Sequence, residues 1–295
     1  MDLSVILLTW ALLISAVVGL LTGVFGVGGG FLLTPALMIL LRVPPSMAVG
    51  MGLIIVLLTS SVGLFKRRGT GTVDVRLAAV LSCGCMIGAA LGQRLLEYAK
   101  HLPPVRIAGR PQGVLEYGLL WAFLLLLTWI AALLYSDYRR SILRAHQAPR
   151  GLFASLRCGP RMSFASVPAV ALPVAALLLL GFVIGLPTGS MGIGGGMLWM
   201  PALFYLVGQG GQAAAGTSLL IVWLSVLLAS LLNVSNGNIC WPLCATMLAG
   251  GMTGSWYGSQ IGLRMAGARL RFYFIYVLLA AILLVGYKLV VLTWL

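Results

Sequence analysis

The sequence predicts an all-α polytopic membrane protein made of two inverted-topology repeats, each with about five apolar segments. Hydrophobic residues make up 61% of the 295 residues and charged residues only 8%, and the mean hydropathy is +1.07. Uncharged stretches such as 4–21 and 117–134 are long enough to cross a bilayer as helices. A glycine-rich motif that begins at Gly23 recurs at Gly189, 166 residues later.

The two copies of this motif belong to a longer internal repeat. The first reads GVFGVGGGFLLTPAL and the second GSMGIGGGMLWMPAL. The same shift of 166 residues aligns further pairs: Pro35 with Pro201, Gly50 with Gly216, Gly84 with Gly250, Gly88 with Gly254, and Gly92 with Gly258. An apolar composition aligns leucines by chance but does not align glycines and prolines, so we infer a duplication.

The apolar segments lie near 4–25, 30–41, 46–65, 75–96 and 114–135, and near 167–190, 196–207, 212–232, 242–262 and 271–293. The second segment of each half is short and contains a proline, as in a kinked span or one arm of a re-entrant hairpin. Either form gives an odd number of crossings per half, so the halves are expected to be inverted. We divide the chain into an N-terminal repeat (1–135), a basic linker (136–166) and a C-terminal repeat (167–295).

Charge in the loops predicts the orientation. Lys66, Arg67 and Arg68 follow the third segment and share a face with the arginines of the linker, whereas the equivalent loop of the second half is uncharged. Because Lys and Arg mark the cytoplasmic side, we predict a cytoplasmic linker and extracytoplasmic termini in a bacterial cytoplasmic (inner) membrane. The loop 94–113, which carries Arg94 and Lys100 on the opposite face, is an exception. Since the net charge of +14 lies in such loops, no nucleic-acid partner is predicted.

The glycine clusters predict helix breaks. Three adjacent glycines cover every side of a helix, so they cannot form a single packing stripe; they interrupt the helix and leave N–H groups free. The next helix directs its positive end at the break. Two such breaks that meet near the midplane would form a nest of donors for an anion. The predicted substrate-binding glycines are Gly28, Gly29, Gly30, Gly194, Gly195 and Gly196. The glycines spaced four apart, from Gly84 and Gly250 onward, instead predict helix packing.

The spans lack charged groups, which favours an anionic substrate. No Asp, Glu, Lys, Arg or His lies well inside a segment, whereas a cation transporter usually carries an intramembrane acid. The candidate hydroxyl ligands are Thr22, Thr188 and Ser190 beside the breaks, and Thr217 and Ser218 at the start of a later segment. Each hydroxyl could equally bond to its own helix. With His101 and His146 in loops, no catalytic residue, metal site or cofactor is predicted, and the protein is not expected to be an enzyme.

Both glycine motifs, together with RRGTGTVDVRLA at 67–78 and AAAGTSLL at 213–220, resemble the TauE/SafE family of membrane proteins. The resemblance covers both repeats and nearly the whole chain outside the linker. It implies an exporter or permease of sulfite or of short organosulfonates such as sulfoacetate. The family often has a Thr-Ser pair in both repeats, but Met51 and Gly52 stand where the second repeat has Thr217 and Ser218. Hydroxyl coordination is therefore expected to be one-sided.

These observations predict a secondary transporter that binds a small sulfur-containing anion between the two breaks. Alternatives are a passive anion channel, and a transporter of thiosulfate or of another small carboxylate or sulfur anion. A further alternative has Cys240 and Cys244 take part in moving a reduced sulfur species. The expected partners are the anion and membrane lipid. The sequence leaves open the direction, a coupling ion (H⁺ or Na⁺) and a homo-oligomeric state.

Overall fold

The computed structural model describes residues 5–25, 28–103, 105–107, 110–112, 114–143, 151–155, 160–264 and 267–294. Within these ranges the chain forms ten α-helices: α1 (Val5–Phe25), α2 (Gly30–Ile39), α3 (Pro45–Arg67), α4 (Val75–Lys100), α5 (Val114–Leu143), α6 (Val174–Met191), α7 (Gly196–Ala202), α8 (Gly211–Ser235), α9 (Trp241–Arg264) and α10 (Gly267–Trp294). A π-helical turn, Leu203–Val207, continues α7. The helices follow the ten apolar segments that the sequence predicts.

Seven of the described helices are long and apolar enough to cross a membrane: α1, α3, α4, α5, α6, α8 and α10. The helices that follow the breaks, Gly30–Ile39 and Gly196–Val207, are too short to do so. Local signals fix several helix starts. Pro45 occupies the first turn of α3, and the Asp74 carboxylate caps α4 by accepting from the Leu77 N–H at 3.1 Å.

The prediction of a helical segment from residue 167 is wrong at its start. Val167–Pro173 is a strand, β4, which pairs antiparallel with β3 (Arg161–Phe164), and α6 begins only at Val174. Proline disfavours the helical conformation in the residue before it, so Pro173 stops α6 from extending further back. A second hairpin joins β1 (Val105–Ile107) to β2 (Arg110–Gln112). Apart from Val167–Pro173, the apolar segments are thus helical, and the described strands lie in the connections between helices.

The helices of the two halves are interleaved. α1 packs along α9, and α4 packs along α6. Because the 166-residue shift carries α1 onto α6 and α4 onto α9, each contact is the repeat equivalent of the other. α3 and α8, also repeat equivalents, lie against each other in opposite directions. Gly50 of α3 lies beside Asn233, whereas Ser61, eleven residues later, accepts a hydrogen bond from Trp223 at 2.8 Å.

The predicted packing role of the glycines spaced four apart is confirmed. A Cβ on Gly88 would overlap the Phe182 carbonyl and lie 3.0 Å from Gly185 Cα, so α4 and α6 touch through their backbones. Gly84 contacts the Leu178 carbonyl, and its equivalent Gly250 contacts the carbonyl of Leu12, which is the equivalent of Leu178. Small residues allow this close approach, and dispersion between the backbones stabilises it.

Large apolar side chains cover the outer surfaces of several helices. Val5, Ile6 and Trp10 of α1, Leu125 of α5 and Leu283 of α10 are exposed. In water this would be an unusually large apolar patch, but it is the surface that a bilayer requires.

Gly88→Ala is expected to destabilise the protein by about 1–3 kcal/mol, because the new Cβ would force two backbones apart. Gly118, on α5, provides a matched control, because a Cβ there meets no atom within 4 Å. Gly118→Ala should stabilise α5 by up to about 1 kcal/mol. Thermal unfolding in a mild detergent measures both changes. Equal melting temperatures for the two variants would contradict the packing role.

Candidate anion site at the paired helix breaks

The first break separates α1 from α2. Gly28 and Gly29 have φ values of 80° and 63°, a left-handed conformation that side-chain-bearing residues rarely adopt. The Gly29 carbonyl accepts from the N–H groups of Leu32 and Leu33, both at 3.1 Å, and so starts α2. Gly26 and Val27 of the same motif lie outside the described residues.

The second break repeats this geometry between α6 and α7. Gly192, Gly194 and Gly195 have φ values of 68°, 72° and 71°. The Gly195 carbonyl accepts from the N–H groups of Leu198 and Trp199, both at 2.9 Å. The predicted helix interruption is therefore present in both halves, at equivalent positions.

The two breaks touch each other. Gly30 lies against the carbonyls of Gly192 and Ile193 so closely that a Cβ would overlap both. From α2, the Thr34 hydroxyl donates to the Gly192 carbonyl at 3.4 Å. The structure thus brings together the glycines at which each helix is interrupted.

The breaks meet between α3 and α8. A Cβ on Gly28 would lie 3.1 Å from a Val222 methyl and 3.3 Å from a Val56 methyl. A Cβ on Gly194 would approach the same two side chains, at 3.7 Å and 2.7 Å respectively. Val56 and Val222 are repeat equivalents near the middle of α3 and α8, so the breaks lie at mid-length of both helices.

The break glycines carry free donors. The Gly192 N–H donates to the Thr188 carbonyl at 3.2 Å, but within the described part of the chain the N–H groups of the other break glycines donate to no backbone or side-chain acceptor. The positive ends of α2 and of α7 with its π-helical turn begin at these glycines. Buried N–H groups without partners cost free energy, and an anion among them would satisfy them. The glycines concerned are Gly28, Gly29, Gly30, Gly194, Gly195 and Gly196.

Four of the five predicted hydroxyl ligands donate to carbonyls of their own helices. Thr22 donates to the Val18 carbonyl and Thr188 to the Ile184 carbonyl, both at 2.8 Å. Ser190 and Ser218 make similar bonds, to Leu186 at 2.9 Å and to Ala215 at 3.0 Å. A hydroxyl in this arrangement has committed its proton and must rotate before it can donate to an anion.

Thr22 and Thr188 nevertheless lie at the breaks. A Cβ on Gly29 would overlap the Thr22 oxygen, and a Cβ on Gly195 would lie 2.6 Å from the Thr188 oxygen. A rotated hydroxyl of either threonine would therefore point at its own glycine cluster.

Thr217 has a different role in the structure. Its oxygen accepts from the Asp74 N–H at 3.1 Å and from Gln209 Nε2 at 3.2 Å. Gln209 Nε2 also donates to Ser166 Oγ at 2.7 Å. Thr217 thereby joins the start of α8 to the α3–α4 loop and the β3–β4 hairpin. Its described hydrogen bonds make it a member of this polar group, the Asp74 cluster, which consists of Asp74, Ser166, Gln209 and Thr217.

Trp199 is a donor that the motif analysis did not identify. Its side chain is fully buried, its Nε1 has no hydrogen-bond partner, and a Cβ on Gly195 would lie 3.1 Å from that nitrogen. Its repeat equivalent is Leu33, which cannot donate. The second break therefore offers one more donor than the first. From the sequence, a tryptophan three residues past Gly196 is expected to line the cavity, to pack or to face lipid, and these possibilities do not identify it as a donor.

Comparison with known proteins identifies the family. The profile of the family described as sulfite exporter TauE/SafE matches residues 11–285. The chain belongs to the TauE/SafE family. It is a membrane protein of a transporter family, in agreement with the resemblance of its glycine motifs.

Curated relatives align over most of the chain. It is 29% identical to the "Probable membrane transporter protein YjnA" of Bacillus subtilis over 280 residues, covering 95% of this chain and 98% of the relative. It is 25% identical to "Probable membrane transporter protein YunE" of the same organism, covering 84% and 86%. A "Probable membrane transporter protein" of Xylella fastidiosa is 26% identical, covering 85% and 84%. No solved structure matches the chain significantly.

The Asp74 cluster gives this TauE/SafE protein a pH-dependent contact outside its spans. Burial raises the pKa of the Asp74 carboxyl. Hydrogen bonds from the amides of Leu77, Ser166 and Arg76 and from the Ser166 hydroxyl outweigh this effect, so its pKa lies below the ordinary value. Such a carboxylate stabilises the fold above the unfolded-state pKa of about 4, and the contribution is lost as the pH falls through the folded-state pKa.

Asp74→Asn should lower the melting temperature at pH 7, because an amide nitrogen would face the Ser166 N–H that now donates to the carboxylate at 3.0 Å. The difference from the unsubstituted protein should shrink as the pH approaches about 4 and falls below it. Melting curves between pH 3.5 and 8 test this expectation. A difference that does not vary with pH would show that the charge of Asp74 is not involved.

Proposed function

We propose that this protein is a secondary transporter, an exporter or permease, for small sulfur-containing anions such as sulfite, sulfoacetate and other short organosulfonates. The anion binds among the N–H groups of the two helix breaks. The single observation that carries this proposal is the direct contact between the breaks, at Gly30 and the Gly192–Ile193 carbonyls, with unpaired donors on both sides.

The chemistry around the breaks favours an anion over a cation. The described neighbours of the glycines include Val56, Val222, Thr22, Thr188 and Trp199, and none of the neighbours carries a charge at neutral pH. Neutral donors and helix ends hold an anion without a fixed counter-charge, which also permits its release. A sulfonate remains ionised at every physiological pH, and its three oxygens accept several N–H donors at once. The family's description as sulfite exporters supports this class of substrate.

Alternating access follows from the way the halves interlock. The contact of α1 with α9 is the repeat equivalent of the contact of α4 with α6, and α3 and α8 are antiparallel. Both observations support an inverted relation between the repeats. In such transporters one half rocks against the other about a central site and exposes it to each side in turn. Positive charge at the ends of α3 and α9 supports a cytoplasmic location for those ends and for the linker in a bacterium.

Transport can be tested with purified protein in liposomes loaded with unlabelled sulfite. Labelled external sulfite should accumulate transiently against its gradient, because a carrier exchanges one anion for another. Thiosulfate, sulfoacetate and acetate in the same assay define the substrate class. Flux that increases linearly with concentration and shows no counterflow would instead indicate a passive anion channel. No protein-dependent movement of any of these anions would overturn the proposal.

Gly30→Ala should reduce this exchange by at least about tenfold, since its Cβ would push the breaks apart and misplace the donors. Gly286→Ala is a matched control, because a Cβ at Gly286 meets no atom within 4 Å. It should exchange sulfite at the rate of the unsubstituted protein. Retained exchange in Gly30→Ala, with normal amounts of folded protein, would contradict a site at the breaks.

A further inference from the structure

Arg67, the last residue of α3, is buried without a counter-charge. Arg67 is only 1% exposed, and the Nε and Nη2 atoms of its guanidinium have no hydrogen-bond partner. Nη1 makes one long bond, to Gln212 Oε1 at 3.4 Å. Within the described residues no carboxylate lies at ion-pair distance, and Asp74 on the adjoining loop bonds to Leu77 and Ser166 instead. A buried, unpaired charge is strongly unfavourable, so the site demands an anion.

The equivalent position in the second half is fully paired. Arg67 corresponds to Asn233, whose amide exchanges hydrogen bonds of 2.9 Å and 3.1 Å with Gln93. Gln93 in turn corresponds to Ser259, whose buried hydroxyl has no partner and lies beside Gly63, one turn before Arg67. One end of the molecule thus has a closed pair of amides, and the other has a guanidinium with two unpaired nitrogens and an unpaired hydroxyl.

Arg67 also lies beside the positive end of a helix. Gln212 belongs to the first turn of α8, which has no side-chain cap. The partial positive charge of that helix end adds to the charge of the guanidinium. Arg67 lies at the C-terminal end of its own helix, α3. The partial negative charge of that helix end offsets only part of the combined positive charge of the guanidinium and the start of α8.

A cavity opens onto this site. It has a volume of about 860 Å³, and Arg67, Arg68, Ser61, Leu220 and Trp223 contribute to its wall. Trp223, in the wall of the cavity, is the neighbour in α8 of Val222, which contacts the paired breaks, so one part of the wall lies at the level of the breaks along α8. Its volume far exceeds that of sulfite or a short sulfonate.

We propose that Arg67 binds a small oxyanion in this cavity and forms an entry site that precedes the paired breaks. Nε and Nη2 lie on one edge of the guanidinium, and together they bind two oxygens of a sulfite, sulfonate or sulfate in a bidentate arrangement. The inference deepens the proposed function and rests on it for the identity of the transported anion. A lipid phosphate has the same chemistry, and the test below separates the two sources.

The test measures the melting temperature of the protein, purified in phospholipid-free zwitterionic detergent, against the concentration of sulfite, sulfate, methanesulfonate or chloride. A ligand that binds the folded state raises this temperature. The oxyanions should raise it at concentrations at which chloride does not. Arg67→Met should shift the half-saturating oxyanion concentration upward at least tenfold, and Arg67→Lys should do so less, since it keeps the charge but not the paired donors. Stabilisation only by an added anionic phospholipid would overturn the proposal.

A second readout separates binding from a structural role. Without anion, Arg67→Met should melt at or above the temperature of the unsubstituted protein, because it removes a buried unpaired charge. A lower melting temperature without anion would indicate a structural arginine and overturn the proposal. Arg76→Met is the matched control: Arg76 is an exposed arginine at the same end of the molecule, outside the described wall of the cavity. It should respond to oxyanions as the unsubstituted protein does.

Liposome exchange distinguishes this proposal from the proposed function. If the unsubstituted protein moves no anion but is stabilised by oxyanions through Arg67, the transport function fails and the anion site stands. If exchange is saturable and Arg67→Met leaves its half-saturating concentration unchanged, the entry site fails and the transport function stands.

Discussion

A helix interrupted in apolar surroundings leaves N–H and C=O groups unpaired, and each such group costs several kcal/mol without water. This constraint explains why the two glycine breaks lie together. The carbonyls of Gly192 and Ile193 face Gly30, and Thr34 bonds to one of them. The N–H groups remain free, so the same contact that shields the breaks collects donors in one place. Interleaving α1 with α9 and α4 with α6 holds that contact from both sides.

The two halves share a backbone plan but differ in polar side chains. At the breaks, Trp199 provides a donor where the first half has Leu33. At the helix ends, Asn233 is paired with Gln93, whereas Arg67 is unpaired. A duplicated scaffold can position equivalent helices while its side chains diverge, and in a transporter the two faces meet different solutions. The donors without partners lie at Trp199, beside the second break, and at Arg67, beside the cavity at the end of α3.

The helices and breaks could be predicted because their physics is local. Apolar length predicts spans, adjacent glycines predict interruption, and the constant spacing of glycines and prolines predicts duplication. The start of α6 was misplaced because Val167–Pro173 is apolar but forms a strand ahead of Pro173. The burial of Arg67 was not predictable, since the rule for loop charges gives a side of the membrane and no contacts. Hydroxyl direction at Thr22 and Thr188 depends on a rotamer, and the composition of the segment does not determine it.

Anion binding at the contact between the two breaks can be observed in a structure of the protein with selenite, a heavier analogue of sulfite. Anomalous scattering locates selenium independently of the protein. We expect a selenium atom within reach of the N–H groups at Gly28, Gly29, Gly194 and Gly195. Selenium found only on the outer surface of the protein, with the breaks empty at saturating selenite, would contradict it.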